Sequence, residues 1–313
     1  MKRIVNVYNP TYKEISAPGI GDYLRGCCFV YQVCKLLNIK FDMHFIGHPI
    51  SKYLICDNQS NDHSDINYNN IDFYNDSNFY NDLNSNYSLI KNKKYANKFI
   101  NYCNNNCNNG SKTTYVFTNS FPINNISNEC CKSIQEKLEP TSELKEYIKE
   151  SMYNLQISPK QYSVIHIRTG DKYLVDGNKL DIDFAKKIEN MLLNIIVPGI
   201  KYLILSDNTE LKTYLSKWPM FIIQNNNITH LGNINVSDEG VKNTLLDLFL
   251  IARAGSVISL SVYGWGSGFS EWTSKIFGVP FIKKSIYFDP TNPNEIVKNN
   301  FCMISTKNIK KYT

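Results

Sequence analysis

The sequence predicts an α/β protein made of two doubly wound parallel sheets that face one another across a cleft. Three observations carry this expectation. Strand-like and helix-like segments alternate along the chain, the alternation breaks off after a charged surface helix and starts over near residue 160, and the Gly-rich and charged clusters follow strand patterns. Strict alternation returns the chain to the same end of the sheet at each crossover, which makes the sheet parallel and covers both faces with helices. Ligands then bind beyond the carboxyl ends of the strands. With 313 residues, 42% of them hydrophobic, the chain is long enough for two cores. The expected domains are 1–157 and 158–313.

Taken in order, "RIVNVY" (3–8) reads as a strand and "DYLRGCCFVYQVCKLLN" (22–38) as a helix with apolar residues at helical spacing. "FDMHFIG" and "TTYVFTN" (113–119) are further strands of this first series. "EPTSELKEYIKESMYNL" (139–155) carries Pro, Thr and Ser at its head and then Leu144, Ile148 and Met152 among charges, the pattern of a surface helix. The second series runs strand "YSVIHIR", helix 181–196, strand "YLILSD" (202–207), helix 209–218, strand "MFIIQ" (220–224), helix 240–254 and strand "SVISLSV" (256–262). It closes with the helix and strand of "SEWTSKIFGVPFI" (270–282).

Residues 57–110 depart from this pattern. Asn, Asp and Tyr crowd out aliphatic residues there, so the stretch is expected to be a surface insertion in the first domain that contributes little to the core. Its Asn-Xaa-Ser triplets at Asn75, Asn86 and Asn109 are what an Asn-rich stretch yields by composition.

A net charge of +6, from 34 basic and 28 acidic residues without a long basic run, is too mild for a nucleic-acid footprint and suits a small anionic ligand. Nine cysteines is an odd number, and "MKRIVNVYNP" opens on a strand pattern with no apolar leader. Free thiols in a reducing, cytoplasmic compartment are expected. Cys103 and Cys107 have half the spacing of a zinc site with no second pair, so no metal is expected. No apolar stretch has the length of a membrane span.

Three clusters carry the chemistry. In "APGIGDYLRG" (17–26), Gly19 and Gly21 sit in a turn whose N–H groups and following helix N-terminus suit an anion or the close approach of a sugar. It lacks both the Lys-Ser/Thr ending of a P-loop and the third glycine of a dinucleotide fingerprint. In "HIRTGD" (166–171), Arg168 can give paired donors to phosphate oxygens, Gly170 permits a tight turn, and Asp171 can orient the arginine or accept a proton. A buried His166 and a structural Arg–Asp pair is the plainer alternative for each residue alone. In "DLFLIARAGSVISLSVYGWGSGFSEW" (247–272), Ser267, Gly268, Phe269 and Ser270 open a helix, so hydroxyls and free N–H groups converge at its N-terminus. A plain N-cap by Ser267 or Ser270 explains part of that turn and leaves the glycines Gly266 and Gly268 unexplained.

The order of these motifs resembles the fucosyltransferase-like superfamily of α1,2- and α1,6-fucosyltransferases and protein O-fucosyltransferases. The likeness lies in the Gly-rich turn near the N-terminus, in His-Xaa-Arg-Xaa-Gly-Asp matched at all its fixed positions, and in Asp-Leu-Phe-Leu followed by Ser-Gly-Phe-Ser. It touches most of 1–50 and 160–285. The resemblance implies a GT-B fold of two Rossmann-like domains, a GDP-fucose donor, a glycan or glycoconjugate acceptor, no cofactor, and metal-independent, inverting transfer. It places Arg168 on the donor diphosphate, His166 beside the nucleotide, Asp247 facing the guanine, and Ser267, Phe269 and Ser270 along the phosphate and ribose. Many members have Asn after the Gly-rich turn, where this chain has Asp22.

The residue types fit that chemistry independently. Negative charge builds on the leaving phosphate as an oxocarbenium-like centre forms, and fixed cations or helix N-termini, or a metal, must stabilise it. Arg168 and the 267–270 turn are available, and Asp22 and Asp171 are the carboxylates suited to take the acceptor proton. Two other functions fit the same residues: transfer from another nucleotide sugar, and a catalytically silent nucleotide- or glycan-binding protein.

Overall fold

The computed structural model describes residues 2–8, 18–45, 47–55, 72–74, 89–108, 113–170, 173, 179–233 and 235–287. Asp171 and the triplets at Asn75, Asn86 and Asn109 lie outside the described residues, as does the Cys107 side chain. The chain forms two compact units. The first comprises Met1–Lys145 and Leu231–Lys242, and the second Glu146–His230 and Asn243–Thr313.

The first unit holds a parallel sheet in the order β2-β1-β4-β3, where β1 is Arg3–Val7, β2 Lys40–His44, β3 Asp72–Tyr74 and β4 Thr113–Thr118. Helix α1, Ile20–Leu37, follows β1 and is buried from Ile20 to Cys34 on nearly every side. It stops at Asn38, whose left-handed backbone (φ 53°) returns its N–H to the carbonyls of Cys34 and Lys35. Asn6 in the central strand settles its own burial by bonding both the carbonyl and the N–H of Thr118, at 3.2 and 3.1 Å, which clamps β1 to β4 at their carboxyl ends. Tyr8, Tyr23 and Phe45 pack together above that end, with ring centroids 5.0 to 6.0 Å apart.

The expected surface insertion contains structure that composition concealed. Helix α2, Leu89–Asn108, buries Ala96, Phe99 and Cys103, and Phe99 packs against Phe29 of α1 at 5.0 Å. β3 adds an edge strand beside β4. Spacings of three and four residues give Ala96, Phe99 and Cys103 one helix face, and that face is enough to dock the helix although Asn and Lys fill the rest. A second helix missed by periodicity, α3 (Asn128–Lys137), is capped by Ser127, whose Oγ accepts from the Cys130 N–H at 3.1 Å. The six described cysteines, Cys27, Cys28, Cys34, Cys103, Cys130 and Cys131, are all free thiols.

Helix α4, Ser142–Asn154, leads to the second unit, and the division between the units falls inside it, at Lys145 and Glu146. The second sheet is parallel in the order β7-β6-β5-β8-β9: β5 is Ser163–Arg168, β6 Tyr202–Ser206, β7 Phe221–Ile223, β8 Ser256–Ser261 and β9 Phe281–Ser285. Helices α5 (Ile182–Leu193), α6 (Thr209–Leu215), α7 (Asp238–Arg253) and α8 (Gly268–Phe277) make the crossovers. Ile165 and Ile167 of β5 meet Ile188 and Leu192 of α5, Leu211 and Leu215 of α6 and Ile204 of β6 in one core. The strand order reverses between β5 and β8, which makes the carboxyl ends of those two strands the topological switch point of this unit.

Among the described residues no helix is long and apolar enough to cross a membrane.

Candidate functional site

The carboxyl ends of β5, β6 and β8 assemble the charged residues of the second unit. Arg168 is the last residue of β5, and its Nη1 donates to Asp207 Oδ2 at 2.6 Å. Asp207 follows β6 and is buried. Its Oδ1 accepts from both the N–H and the hydroxyl of Thr169, each at 2.8 Å, and its Oδ2 also receives the Gly170 N–H at 3.4 Å. One buried carboxylate thus holds the arginine and the backbone of the turn that follows it. Gly170 makes that turn at φ +104°, which a side chain adopts only with strain. The carboxylate on Arg168 is therefore Asp207, from a different strand, and the structural pair that the sequence suggested with Asp171 involves a residue outside the described set.

His166 lies two residues back in β5. It is buried, its Nδ1 has no hydrogen-bond partner among the described residues, and its ring sits 5.5 Å from that of Phe269. Burial, reinforced by the Arg168 charge, lowers its pKa to about 3, so the imidazole is neutral at physiological pH. Asp247 lies in α7, also buried, with Oδ1 unpartnered among the described residues. Burial raises its pKa to about 7, and the Lys212 charge pulls the other way. Lys212 is itself buried in α6 and donates to the Asn226 carbonyl at 2.6 Å. Burial pushes its pKa down while Asp247 and Asp207 hold it up. A buried cation thus lies within electrostatic reach of two buried carboxylates, Asp247 and Asp207.

The turn after β8 completes this face. Val262 N–H donates to the Arg168 carbonyl at 3.2 Å, which ties the start of the turn to the end of β5. Ser267 occupies the N-cap position of α8 and is buried, yet its side chain makes no capping bond. A plain capping role, the structural alternative for Ser267, is therefore not what its hydroxyl does, and the first-turn N–H groups of α8 receive no cap from it. Gly268 is the first residue of α8, and Phe269 follows it over His166. Ser270 is fully buried and its hydroxyl donates to Ser259 Oγ at 3.0 Å, a bond that anchors α8 to β8. Gly266 has φ +88°, and a Cβ there would lie 2.2 Å from Lys283 Cδ. The turn admits only glycine.

In the first unit, Gly19 is the N-cap residue of α1 and Gly21 and Asp22 are in its first turn. Asp22 is ion-paired to Arg25 at 2.8 Å. Arg25 is buried, donates to the Asn119 carbonyl at 2.7 Å and lies over the Phe121 ring at 4.0 Å, so it is fixed from three sides. The turn and its acid therefore stand at the carboxyl end of β1, beside the end of β4.

Sequence reasoning missed Asp207 and Lys212. Asp207 carried a usable signal, since "YLILSD" places an acid immediately after an apolar strand as "HIRTGD" places its charges. Lys212 carried none, because "TELKTYLSKW" reads as an ordinary exposed helix. Among the described residues no group of three or more His, Cys, Asp or Glu side chains is arranged to hold a metal ion.

No protein-family model matches the sequence, and no curated protein matches it. Solved structures do. The fucosyltransferase NodZ from Bradyrhizobium aligns over 93% of this chain and 96% of its own, with 14% identity and a TM-score of 0.52. A NodZ α-1,6-fucosyltransferase crystal soaked with GDP-fucose gives the same identity and coverage with a TM-score of 0.51. A mutant of FUT1 from Arabidopsis thaliana in complex with GDP aligns over 93% of this chain and 71% of its own, at 12% identity and a TM-score of 0.51. At such identities the likeness establishes the architecture, and the chain has the α/β, GT-B fold of these fucosyltransferases.

Proposed function

We propose that the protein is a glycosyltransferase that moves fucose from GDP-fucose to a hydroxyl of a glycan or glycoconjugate, with inversion and without a metal ion. One observation carries the reading: Arg168 is held by a buried carboxylate at the switch point of the second sheet, next to the turn that opens α8. The similar structures soaked with GDP-fucose or complexed with GDP support the choice of donor.

In this reading Arg168 grips the diphosphate, and the uncapped N–H groups of α8 with the Ser267 hydroxyl face the phosphate and ribose. As the bond to the anomeric carbon breaks, charge moves onto the diphosphate, and these fixed donors bind it more tightly than they bind the ground state. The unpartnered Oδ1 of Asp247 is an acceptor awaiting a donor, which guanine supplies through its N1–H and amino group. His166, neutral, fixes Phe269 beside the nucleotide and adds no charge to the site. Gly19 and Gly21 allow close approach of a sugar. The acceptor hydroxyl attacks opposite the diphosphate and gives its proton to a carboxylate, Asp22 or Asp171, and replacing each with Asn separates the two.

The test is a screen of GDP- and UDP-sugars for binding and for slow donor hydrolysis, run with and without exhaustive chelation. The expected result is GDP-fucose turnover that survives chelation. Preference for a UDP-sugar would contradict the donor, and loss of activity restored by manganese would contradict the metal-independent step. GDP binding with neither transfer nor hydrolysis would favour a silent binding protein.

A further inference from the structure

Trp265 is 55% exposed, an unusual position for the side chain with the largest apolar surface. Its surroundings hold it still. Its ring is stacked on that of Tyr263, with centroids 4.9 Å apart and planes 14° from parallel. Its carbonyl accepts from Lys283 Nζ at 2.9 Å, and the next residue, Gly266, lacks the Cβ that would lie 2.2 Å from Lys283 Cδ. Lys283 in turn lies 3.7 Å from Glu271 on the first turn of α8. A flat aromatic face is therefore presented to solvent on a braced support, with an ammonium and a carboxylate beside its backbone.

We propose that Trp265, backed by Tyr263, is a stacking platform for a pyranose ring of the acceptor glycan. A pyranose has an apolar face of C–H bonds and a rim of hydroxyls, so it binds where an aromatic plane adjoins groups that donate and accept hydrogen bonds. Trp265 supplies the plane, and Lys283 and Glu271 supply such groups. The Tyr263 hydroxyl lies 3.5 Å from where a Cβ of Gly170 would be, so the Tyr263 end of the platform adjoins the turn that follows Arg168. This inference rests on the reading above, in which that turn holds the diphosphate. The transferred sugar then lies at the near end of the platform, and the ring that receives it, or the ring next to that, lies on Trp265.

The experiment uses the full chain, as wild type, Trp265→Ala and Trp265→Phe. The probes are GDP and three neutral tetrasaccharides: the β-1,4 glucose, α-1,4 glucose and β-1,4 N-acetylglucosamine tetramers. GDP should bind all three proteins with equal affinity. At least one tetrasaccharide should shift wild-type tryptophan fluorescence at millimolar concentration. Its affinity should fall about tenfold or more in Trp265→Ala and recover in part in Trp265→Phe, as for other stacked rings. Equal sugar affinity in wild type and Trp265→Ala, or no sugar binding to a protein that binds GDP, would overturn the platform and leave the donor reading intact. Loss of GDP affinity in Trp265→Ala would also overturn it, by assigning the ring to the nucleotide. A wild type that binds no GDP removes the donor reading itself, and the platform with it.

Discussion

Replacing Asp207 asks whether Arg168 must be aimed as well as charged. The carboxylate receives Arg168 at 2.6 Å and two bonds from Thr169 at 2.8 Å, and it is almost wholly buried. Hydrogen bonds to a charged group are worth about 1.5–3 kcal/mol each. Asp207→Ala removes all of them and leaves the Arg168 side chain, 15% exposed, without this counter-charge, at a cost of about 3–5 kcal/mol. Asp207→Asn is the sharper test. Its amide oxygen can still accept from the Thr169 N–H and hydroxyl while its NH2 takes the place of Oδ2, so the Arg168 bond is lost, at about 1.5–3 kcal/mol, together with the long Gly170 N–H contact. Two effects on the nucleotide then compete. Removing a negative charge near the diphosphate favours GDP, whereas an unaimed guanidinium binds it worse. Because alignment matters most as charge develops on the leaving group, kcat should fall about tenfold or more while GDP affinity changes less. Thermal melting, GDP titration and donor turnover on Asp207→Asn measure all three quantities. A folded Asp207→Asn protein with wild-type kcat would show that Asp207 merely stabilises the turn.

Phe99→Ala in α2 removes a fully buried ring packed on Phe29, and should destabilise the first unit by about 3–5 kcal/mol in a denaturant titration, whereas the same change at an ornamental loop would cost almost nothing. His166 is neutral when folded down to about pH 3 and protonated when unfolded below 6.5, so its contribution makes stability fall as pH drops from 6.5 towards 3. At pH 5 that loss is about 2 kcal/mol, and His166→Phe should flatten this part of the stability curve relative to wild type. Asp247 behaves with the opposite sign: its folded pKa of about 7 lies above the ordinary 3.8, so its burial costs nothing at pH 3 and progressively more up to pH 7. Asp247→Asn should therefore raise the melting temperature at pH 8 and leave it unchanged at pH 3. GDP binding should weaken in the same variant if that carboxyl reads the base.

The second unit was the more legible of the two. Its strands are short continuous apolar runs, and alternation with helices of clear period leaves little choice but a parallel sheet. The site's charged residues were most legible where they cluster in sequence, as in "HIRTGD". Asp207 had only its place after an apolar strand to mark it, Lys212 on α6 had nothing, and the partners of both are set by the sheet order. In the first unit, composition misled. Residues 89–108 contain so much Asn and Lys that the spacing of Ala96, Phe99 and Cys103 was lost in the polar background, although a helix needs only one apolar face to dock. Ser270 illustrates a different limit. Its place in a Ser-rich helix start fits ligand binding and helix anchoring equally in sequence, and the bond to Ser259, which supplies the anchor, joins residues eleven apart with no local pattern to mark the pair.

Calorimetric titration of GDP into Arg168→Ala and Arg168→Lys asks whether Arg168 bears the donor diphosphate. Each charge-assisted bond to phosphate is worth about 1.5–3 kcal/mol, so Arg168→Ala should weaken GDP binding at least tenfold. Arg168→Lys should restore only part of the loss, since an ammonium keeps the charge without the planar fork. Folded Arg168→Ala protein that binds GDP as tightly as wild type would contradict the account, leaving Arg168 and Asp207 as a buried structural pair.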